Sequence, residues 1–369
     1  MSPDIWILGA TGRSGSAIAR KLIERGIEPV LVGRNRETLD AQSHAHGTRS
    51  VVAESVADIA RAIRDERPAV VVNTVGPFQQ TGAALAAVTT AAGHYVDLAN
   101  DLGTVLAHRR LDDEIRRSGH TIVTGAGFGV TATESLVTRM TADRGDAREV
   151  RIDMIPSMAV PAGRVGEALA GSLVDGLPGV PGGGRFQGRR ITGSALAPAP
   201  LGGAPVTLVT PDGDEVTTGL MPLGELLAAQ RACGAPAIES ASSEAPRGFA
   251  GLAMRRMMPL MHVGPLRRGT ARLLSRITTP GSTAPRRHSW AHARITWADG
   301  TTDHGWLRWG EASDVTAAVA SEVAVHLAEG QGSPGVYTPA ELFGAELAES
   351  CGGVYSLTEP EARASSDPS

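Results

Sequence analysis

Three glycines near the start of the chain have the spacing of a phosphate-binding turn. Gly9, Gly12 and Gly15 form a GxxGxxG pattern within DIWILGATGRSG, residues 4–15. Glycine lacks a Cβ, so the backbone can approach a pyrophosphate closely, and the N–H groups that begin a helix attract the anion. The pattern therefore predicts a dinucleotide site, provided that a strand precedes it and a helix follows it.

The residues after the second predicted strand indicate which dinucleotide binds. An acidic residue there would bind the ribose 2′-hydroxyl of NAD, whereas an arginine accommodates a 2′-phosphate. This chain has Arg34, Asn35 and Arg36 at that point, and Arg13 adds a cation within the glycine turn. We therefore expect NADPH as the cofactor. The alternative is that Arg34 and Arg36 are ordinary solvated charges.

A second turn is expected beside the first. The apolar run at 69–75 ends abruptly at Gly76 and Pro77. At the carboxyl edge of a parallel sheet, such a turn brings backbone close to the ligand in the crevice. The predicted cofactor-binding residues are Gly9, Thr11, Gly12, Arg13, Ser14, Gly15, Arg34, Asn35, Val75, Gly76 and Pro77.

A nicotinamide enzyme also needs a group that supplies or relays a proton. Lys21 is the only lysine and lies in the first predicted helix, so a Tyr-x-x-x-Lys dyad is excluded. Asp101 is the predicted general acid or orienting carboxylate, because it follows a predicted strand at the carboxyl edge of the sheet. The alternative is an N-cap for the next helix. Asp97 is expected to be a structural hydrogen-bond acceptor, and Tyr95 a packed ring.

The elements that must position these residues alternate regularly through residues 1–130. Strands are predicted at 5–8, 27–32, 50–53, 69–75, 95–99 and 120–125, and helices at 16–25, 56–64, 81–92 and 106–118. This alternation predicts a Rossmann-type α/β fold with a doubly wound parallel sheet.

The pattern changes to an α+β composition beyond residue 131. Strands are predicted at 150–155 and 206–209, a hairpin at 291–297 and 304–308 around Asp299-Gly300, helices at 163–174 and 314–329, and a loop at 179–184. The chain of 369 residues is long enough for two domains.

Composition excludes several classes of protein. The net charge of −4 and the pI near 6.2 give no general attraction to nucleic acid. No apolar stretch reaches the roughly 20 residues of a membrane span, so a cytoplasmic protein without an integral membrane segment is expected. Cys233 and Cys351 lie far apart without metal-ligand spacing, and no metal site is expected.

Residues 247–290 combine many arginines and methionines without one acidic residue. One interpretation is an amphipathic, helix-rich insertion whose methionines pack on the core. Another is a cationic surface for a carboxylate substrate, a phosphopantetheine arm or an acyl carrier protein. A membrane surface is a third option. Nucleic acid is disfavoured, because few aromatic residues lie between the arginines.

Several motifs resemble one family. Behind the GATGRSG turn, NTVGPF at 73–78, HYVDLANDL at 94–102 and GAGFG at 125–129 resemble the saccharopine dehydrogenase-like oxidoreductases, including trans-acting enoyl reductases of polyketide lipid pathways. The motifs PAGRVGEALAGSLVDG at 161–176, TPDGDEV at 210–216 and PGVYTPAELFG at 334–344 extend the resemblance over most of the chain. Relatives often have a glutamate after YVDLTG, where this chain has Ala99, Asn100 and Asp101.

The resemblance implies a division into domains. We expect a dinucleotide-binding domain at 1–130, an α+β substrate-binding and dimerisation domain at 131–310, a C-terminal helical segment returning to the first domain at 311–358, and a disordered tail at 359–369. It also implies a homodimer.

Members of the family reduce C=N, C=C or C=O bonds. The expected function is an NADPH-dependent reductase of a C=C or C=N bond in a small or carrier-bound biosynthetic intermediate. The alternative is a non-catalytic NADP-sensing regulatory or scaffold protein, since no catalytic dyad is evident in the sequence.

Overall fold

A computed structural model describes residues 4–159, 163–164, 180, 188–221, 223–246, 264–275, 278–279, 281 and 283–357. Most of the predicted 163–174 helix and of the 179–184 loop lies outside these residues, and so do most of the arginine- and methionine-rich segment before residue 283 and the 359–369 tail. Residues 163 and 164 form a short strand, so the helix predicted there is wrong at these two positions, where they pair with residues 278 and 279.

Taken in chain order, the strands and helices of the described residues alternate regularly over the first third of the chain. The strands are β1 (Ile5–Leu8), β2 (Val30–Gly33), β3 (Ser50–Val52), β4 (Val70–Asn73), β5 (His94–Asp97), β6 (Thr121–Val123), β7 (Ala147–Ile155), β8 (Gly163–Arg164), β9 (Gly188–Thr192), β10 (Ala195–Ala199), β11 (Val206–Val209), β12 (Glu215–Leu220), β13 (Ala237–Ser242), β14 (Thr278–Thr279), β15 (Ser289–Trp297), β16 (Thr302–Trp309), β17 (Gly335–Tyr337) and β18 (Val354–Leu357). The helices are α1 (Arg13–Glu24), α2 (Arg36–His46), α3 (Val56–Glu66), α4 (Phe78–Thr89), α5 (Leu102–Arg109), α6 (Asp112–Ser118), α7 (Phe128–Thr141), α8 (Glu225–Cys233), α9 (Gly264–Ser275), α10 (Ala312–Ala328), α11 (Pro339–Phe343) and α12 (Glu346–Ser350).

A seven-stranded parallel sheet has the order β17-β6-β5-β4-β1-β2-β3. Its central strands β1 and β4 are buried along their whole length because helices cover both faces, and all four residues of β1 have no exposed surface. The order reverses between β1 and β4, where a doubly wound sheet opens a crevice at its carboxyl edge. The six predicted strands all occur, and the Rossmann-type prediction is confirmed.

Two features of the first sheet differ from the prediction. The helix predicted at 106–118 is two helices, α5 and α6. The second begins with Asp112, Asp113 and Glu114, whose negative charges favour a new helix N-terminus. In addition, β17 joins the sheet beside β6, although it comes from the far end of the chain and the sequence did not predict it.

The second sheet has nine strands and mixed directions. Its path is β10-β9-β13-β7-β15-β16-β18, and β12 pairs with both β11 and β13. The Asp299-Gly300 turn joins β15 to β16 as predicted, with Gly300 at φ +83°. One face packs against α7 and α8 through buried side chains such as Ile152, Ala293 and Leu307. This sheet is the predicted second, mixed α+β unit.

The long helix α10 packs on the first sheet and on α7. It packs against α1, β4, β5 and α7, and Arg25 of the α1 C-cap forms an ion pair with Glu322. After it, β17 extends the first sheet and β18 extends the second. In the part of the chain that the structure describes, no helix is long and apolar enough to cross a bilayer.

Candidate functional site

The glycine turn lies directly at the carboxyl end of β1. Gly9 has φ +76°, and a Cβ there would lie 2.7 Å from Thr74 Oγ1. A Cβ on Gly15 would lie 2.3 Å from the carbonyl oxygen of Gly9. Contacts this short exclude any side chain, so two of the three glycines are required for the turn to pack under the first helix.

Gly12 serves a different purpose, because its open side faces away from the protein. It is the N-cap of α1 and has no side chain to cap the helix, and no other described side chain caps the first amides. A Cβ at Gly12 would approach only Gly9 O, at 3.2 Å. The turn is thus a cradle of backbone N–H groups, with Arg13 and Ser14 beginning the helix. It fits the pyrophosphate of a dinucleotide.

The predicted cations lie next to this cradle. A Cβ on Gly33, the last residue of β2, would lie 3.5 Å from Thr11 Cγ2, so the turn and the end of β2 border one crevice. Arg34 and Arg36 follow at once, and both are exposed. Neither forms an ion pair with any residue that the structure describes. Arg13 in the turn is exposed as well.

Asn35 has a structural partner already. Its Oδ1 accepts a hydrogen bond of 3.0 Å from the Thr38 N–H and caps α2, a helix that the sequence analysis did not predict. The Asn35 side chain therefore fixes the direction of α2, which begins at Arg36. Its predicted contact with the cofactor stays a prediction.

The second predicted turn lies beside the first. Thr74 Oγ1 donates to Leu8 O at 2.7 Å, and Asn73 Oδ1 accepts from the Val75 N–H at 2.9 Å. Val75 Cγ2 lies 3.2 Å from where a Gly9 Cβ would be, and the peptide bond between Gly76 and Pro77 is cis. The structure therefore brings Val75 to the glycine turn, with Gly76 and Pro77 following it.

Asp97 and Tyr95 have the structural roles that the sequence predicted. Asp97 Oδ1 accepts from Ala99 N, Thr124 Oγ1 and Gly125 N, which ties the end of β5 to the end of β6. Tyr95 is fully buried, and its hydroxyl accepts from Asn73 Nδ2 at 2.8 Å. Burial, together with the neighbouring Asp97, raises the pKa of Tyr95 well above its ordinary value, which makes it a poor acid.

Asp101 is the N-cap of α5, the alternative that the sequence analysis had kept open. Its Oδ1 accepts from Thr104 N at 2.8 Å and from Gln79 Nε2 at 3.0 Å, and its Oδ2 accepts from Thr104 Oγ1 at 2.8 Å. Both carboxylate oxygens are thus engaged in holding α5 and α4 together. A catalytic role for Asp101 stays a prediction.

Sequence reasoning missed a buried carboxyl group beside this loop. Glu225 is 1% exposed, and its Oε1 accepts a hydrogen bond of 3.2 Å from Asn100 Nδ2. Burial raises the pKa of Glu225 from 4.5 to about 7. The two residues are distant in sequence, and no local motif marks the glutamate. Only the fold shows that they meet.

A second buried glutamate provides a contrast. Glu134 on α7 accepts hydrogen bonds from Thr338 Oγ1, Ala340 N and Glu341 N, so it holds the start of α11. Burial raises the pKa of Glu134 to about 7 as well. Its oxygens are satisfied by backbone and hydroxyl donors, which marks it as structural.

In the part of the chain that the structure describes, no group of three or more histidine, cysteine, aspartate or glutamate side chains could hold a metal ion. At the carboxyl ends of β1 and β2, the crevice is bordered by glycines, whose backbone amides can bind an anion, and by arginines. Both suit an anionic cofactor.

Comparison with known proteins agrees with this geometry. Residues 9–100 match a family of NAD(P)H-binding domains. The whole chain is similar in fold to saccharopine dehydrogenase (L-Glu forming) from Saccharomyces cerevisiae, with a TM-score of 0.62, 11% identity, and coverage of 97% of this chain and 100% of that one. None of the curated proteins matches the chain in sequence.

A smaller likeness involves a short-chain dehydrogenase from Sphingobium yanoikuyae in complex with NADPH. Its TM-score is 0.27 at 17% identity, and it covers 33% of this chain and 71% of that one. A TM-score this low adds nothing to the assignment. The NAD(P)H-binding match confirms the predicted cofactor class, a nicotinamide dinucleotide. The saccharopine dehydrogenase match confirms the predicted saccharopine dehydrogenase-like fold.

Proposed function

We propose that the protein is an NADPH-dependent reductase of a C=C or C=N bond in a small or carrier-bound biosynthetic intermediate. The observation that carries this proposal is the glycine cradle at the end of β1, with exposed cations immediately beside it. Gly9 and Gly15 are packed so closely that they admit no side chain, while Gly12 is left open toward a ligand. Such a turn in an NAD(P)H-binding domain is built to hold a pyrophosphate.

The preference for NADPH over NADH rests on Arg34 and Arg36. Both are exposed after the end of β2, where the ribose 2′ position is recognised in this fold. Guanidinium groups bind phosphate through charge-assisted, often bidentate hydrogen bonds. An acidic residue that would bind a 2′-hydroxyl instead is absent from positions 33–36.

When bound, NADPH would supply a hydride to the acceptor bond. The protein must then orient the acceptor, exclude water and supply a proton. The loop after β5, the start of α7 and the start of α8 contact one another, and we propose that these three segments border the acceptor. Asp101 and Glu225 are the carboxyl groups at this place.

We also propose a homodimer, which the family resemblance implies. The edge strand β18 leaves Val354 and Leu357 exposed at 45% and 47%, and an edge with apolar side chains is open to pairing with a second copy. Sedimentation velocity at micromolar concentration is expected to show a dimer. A monomer at all concentrations would contradict this proposal.

A substrate panel tests the reductase proposal. The purified protein is mixed with NADPH and either α,β-unsaturated acyl thioesters or cyclic imines, and loss of the reduced cofactor is followed optically. We expect turnover with at least one of the two classes, and slower turnover with NADH. NADPH binding without turnover across both classes would instead favour the NADP-sensing alternative.

A further inference from the structure

A buried acid lies where the second unit of the chain meets the crevice. The N–H of Gly224, the residue before α8, donates to the carbonyl oxygen of Asn100 at 3.0 Å. This bond docks the first turn of α8 on the loop that follows β5. Glu225, the first residue of the helix, is thereby placed at the carboxyl edge of the parallel sheet.

The side chains of Asn100 and Glu225 leave two neighbouring buried polar atoms without a hydrogen bond. Asn100 Nδ2 donates to Glu225 Oε1, and the backbone N–H of Glu225 also lies near its own carboxyl group, but neither Glu225 Oε2 nor Asn100 Oδ1 has a hydrogen bond of normal geometry among the described residues. Buried polar atoms are almost always paired, so two adjacent exceptions need an explanation. No described cation forms an ion pair with Glu225 either.

Room for the pair is made by a glycine in the first turn of α7. A Cβ on Gly129 would lie 2.6 Å from Glu225 Oε1 and 2.9 Å from Asn100 Nδ2. Any larger residue there would displace the carboxyl group. Three elements, the β5 loop, α7 and α8, therefore converge on one acid.

The position of the pair relative to the cofactor follows from the order of the strands. The strand order reverses between β1 and β4. The cations for the 2′-phosphate follow β2 and the glycine cradle follows β1, so both lie on one side of this reversal. The opposite half of a dinucleotide, which carries the nicotinamide, then extends toward β4 and β5. Asn100 follows β5, so Glu225 lies on the side where the chemistry takes place.

We infer that Glu225 is the proton donor of the reduction, held in position by Asn100; this inference rests on the proposed reductase function. The Oε2–H bond breaks and its electron pair stays on the carboxylate. A new C–H or N–H bond forms at the substrate atom left negative after the hydride has been accepted at the other end of the bond. Water that enters the crevice as the product leaves then reprotonates the carboxylate before the next turnover.

The protonation state of the group agrees with this role. With its pKa raised to about 7 by burial, Glu225 carries its proton over much of the neutral range. A carboxyl group kept neutral by an apolar site is a known form of enzymatic hydrogen-bond donor and acid. The pKa of Tyr95 is shifted well above its ordinary value, so its hydroxyl is a much weaker acid than Glu225 at neutral pH.

Glu225→Gln tests the inference, with Glu134→Gln as its matched control. Both residues are buried glutamates with a pKa of about 7, but Glu134 is engaged by Thr338, Ala340 and Glu341. We expect Glu225→Gln to lower kcat by roughly 10²- to 10⁴-fold with little change in KM. NADPH affinity, measured by direct titration, should stay within about threefold of the wild type, and Glu134→Gln should retain turnover per folded molecule.

Three further measurements separate catalysis from structure. In the apo protein labelled with ¹³C at the glutamate carboxyl, NMR should show two carboxyl groups titrating near neutrality, and each variant should remove one. The wild-type rate should fall as the pH rises through about 7, because the acid is lost, and Glu134→Gln should keep this fall. Asn100→Ala keeps Glu225 but removes the hydrogen bond that positions its carboxyl group, so this variant should also have a lower kcat.

The outcomes distinguish this inference from the proposed function. If the wild type turns over a substrate and Glu225→Gln does so equally well with the same pH profile, only the role of Glu225 is overturned. If the wild type binds NADPH but reduces nothing, the reductase function is overturned, and the role of Glu225 with it.

Discussion

A methyl group at Gly12 tests the glycine cradle with little damage to the fold. Gly12→Ala places a Cβ 3.2 Å from Gly9 O, a contact that a small shift relieves. The backbone at this residue, φ −79° and ψ 167°, suits alanine. Alanine is a poorer N-cap than glycine, so we expect a loss of roughly 0.5–1 kcal/mol in the free energy of unfolding.

The effect on cofactor binding should be larger than the effect on folding. The open side of Gly12 is where a phosphate would approach the first amides of α1, and the added methyl group holds it away. Losing one hydrogen bond to a charged group costs roughly 1.5–3 kcal/mol. Since about 1.4 kcal/mol is a tenfold change in affinity, the expected loss of NADPH affinity is about 10- to 150-fold.

Two other glycines serve as controls for Gly12→Ala. Gly145→Ala adds a methyl group with no neighbour within 4 Å, so both stability and affinity should be unchanged. Gly15→Ala forces a Cβ to 2.3 Å from Gly9 O and should destabilise the whole domain. Calorimetric titration with NADPH and urea unfolding measure the two effects separately. A Gly12→Ala protein that binds NADPH as tightly as the wild type would refute the cradle.

Three further predictions concern charges near the crevice. Arg34→Asp should weaken NADPH binding at least tenfold relative to NADH, because the 2′-phosphate loses a cation and meets a negative charge. Arg64→Asp, at another exposed position, should leave the preference for NADPH over NADH unchanged. Asp101→Ala should cost roughly 1 kcal/mol in the free energy of unfolding measured with urea, because an N-cap is removed. Asp101→Asn should keep the cap, so its turnover tests the predicted catalytic role directly: loss of turnover would support that role, and unchanged turnover would contradict it. Burial raises the folded-state pKa of Glu225 from 4.5 to about 7, so between these pH values the native state binds more protons than the unfolded state. The contribution of Glu225 to the free energy of unfolding should therefore fall by up to roughly 3 kcal/mol as the pH rises from 4.5 to 7. The difference between the free energies of unfolding at pH 5 and pH 8, measured with urea, should be smaller in Glu225→Gln than in the wild type. An equal difference in the two proteins would contradict the raised pKa of Glu225.

The sequence predicted those parts of the fold that depend on local patterns. The apolar run of β1 occurs at Ile5–Leu8 as predicted, and the glycine spacing placed the turn beneath α1 correctly. The Asp299-Gly300 signal placed the β15–β16 hairpin for the same reason, since two residues fix the turn.

Features that depend on distant pairing escaped prediction. The three residues of β17 have no periodicity of their own and become a strand only because β6 offers an open edge. The contact between Asn100 and Glu225 likewise joins two distant parts of the chain. A lone glutamate after a glycine looks like any helix start, and its burial arises only when α8 docks on the β5 loop.

Direct titration of the purified wild-type protein with NADPH and NADH tests the central claim most directly. The claim is that a backbone cradle binds the pyrophosphate and that Arg34 and Arg36 select the 2′-phosphate. We predict saturable binding of NADPH that is at least tenfold tighter than binding of NADH. Failure to bind NADPH would contradict the cradle, and equal affinity for the two cofactors would contradict the selection by arginine.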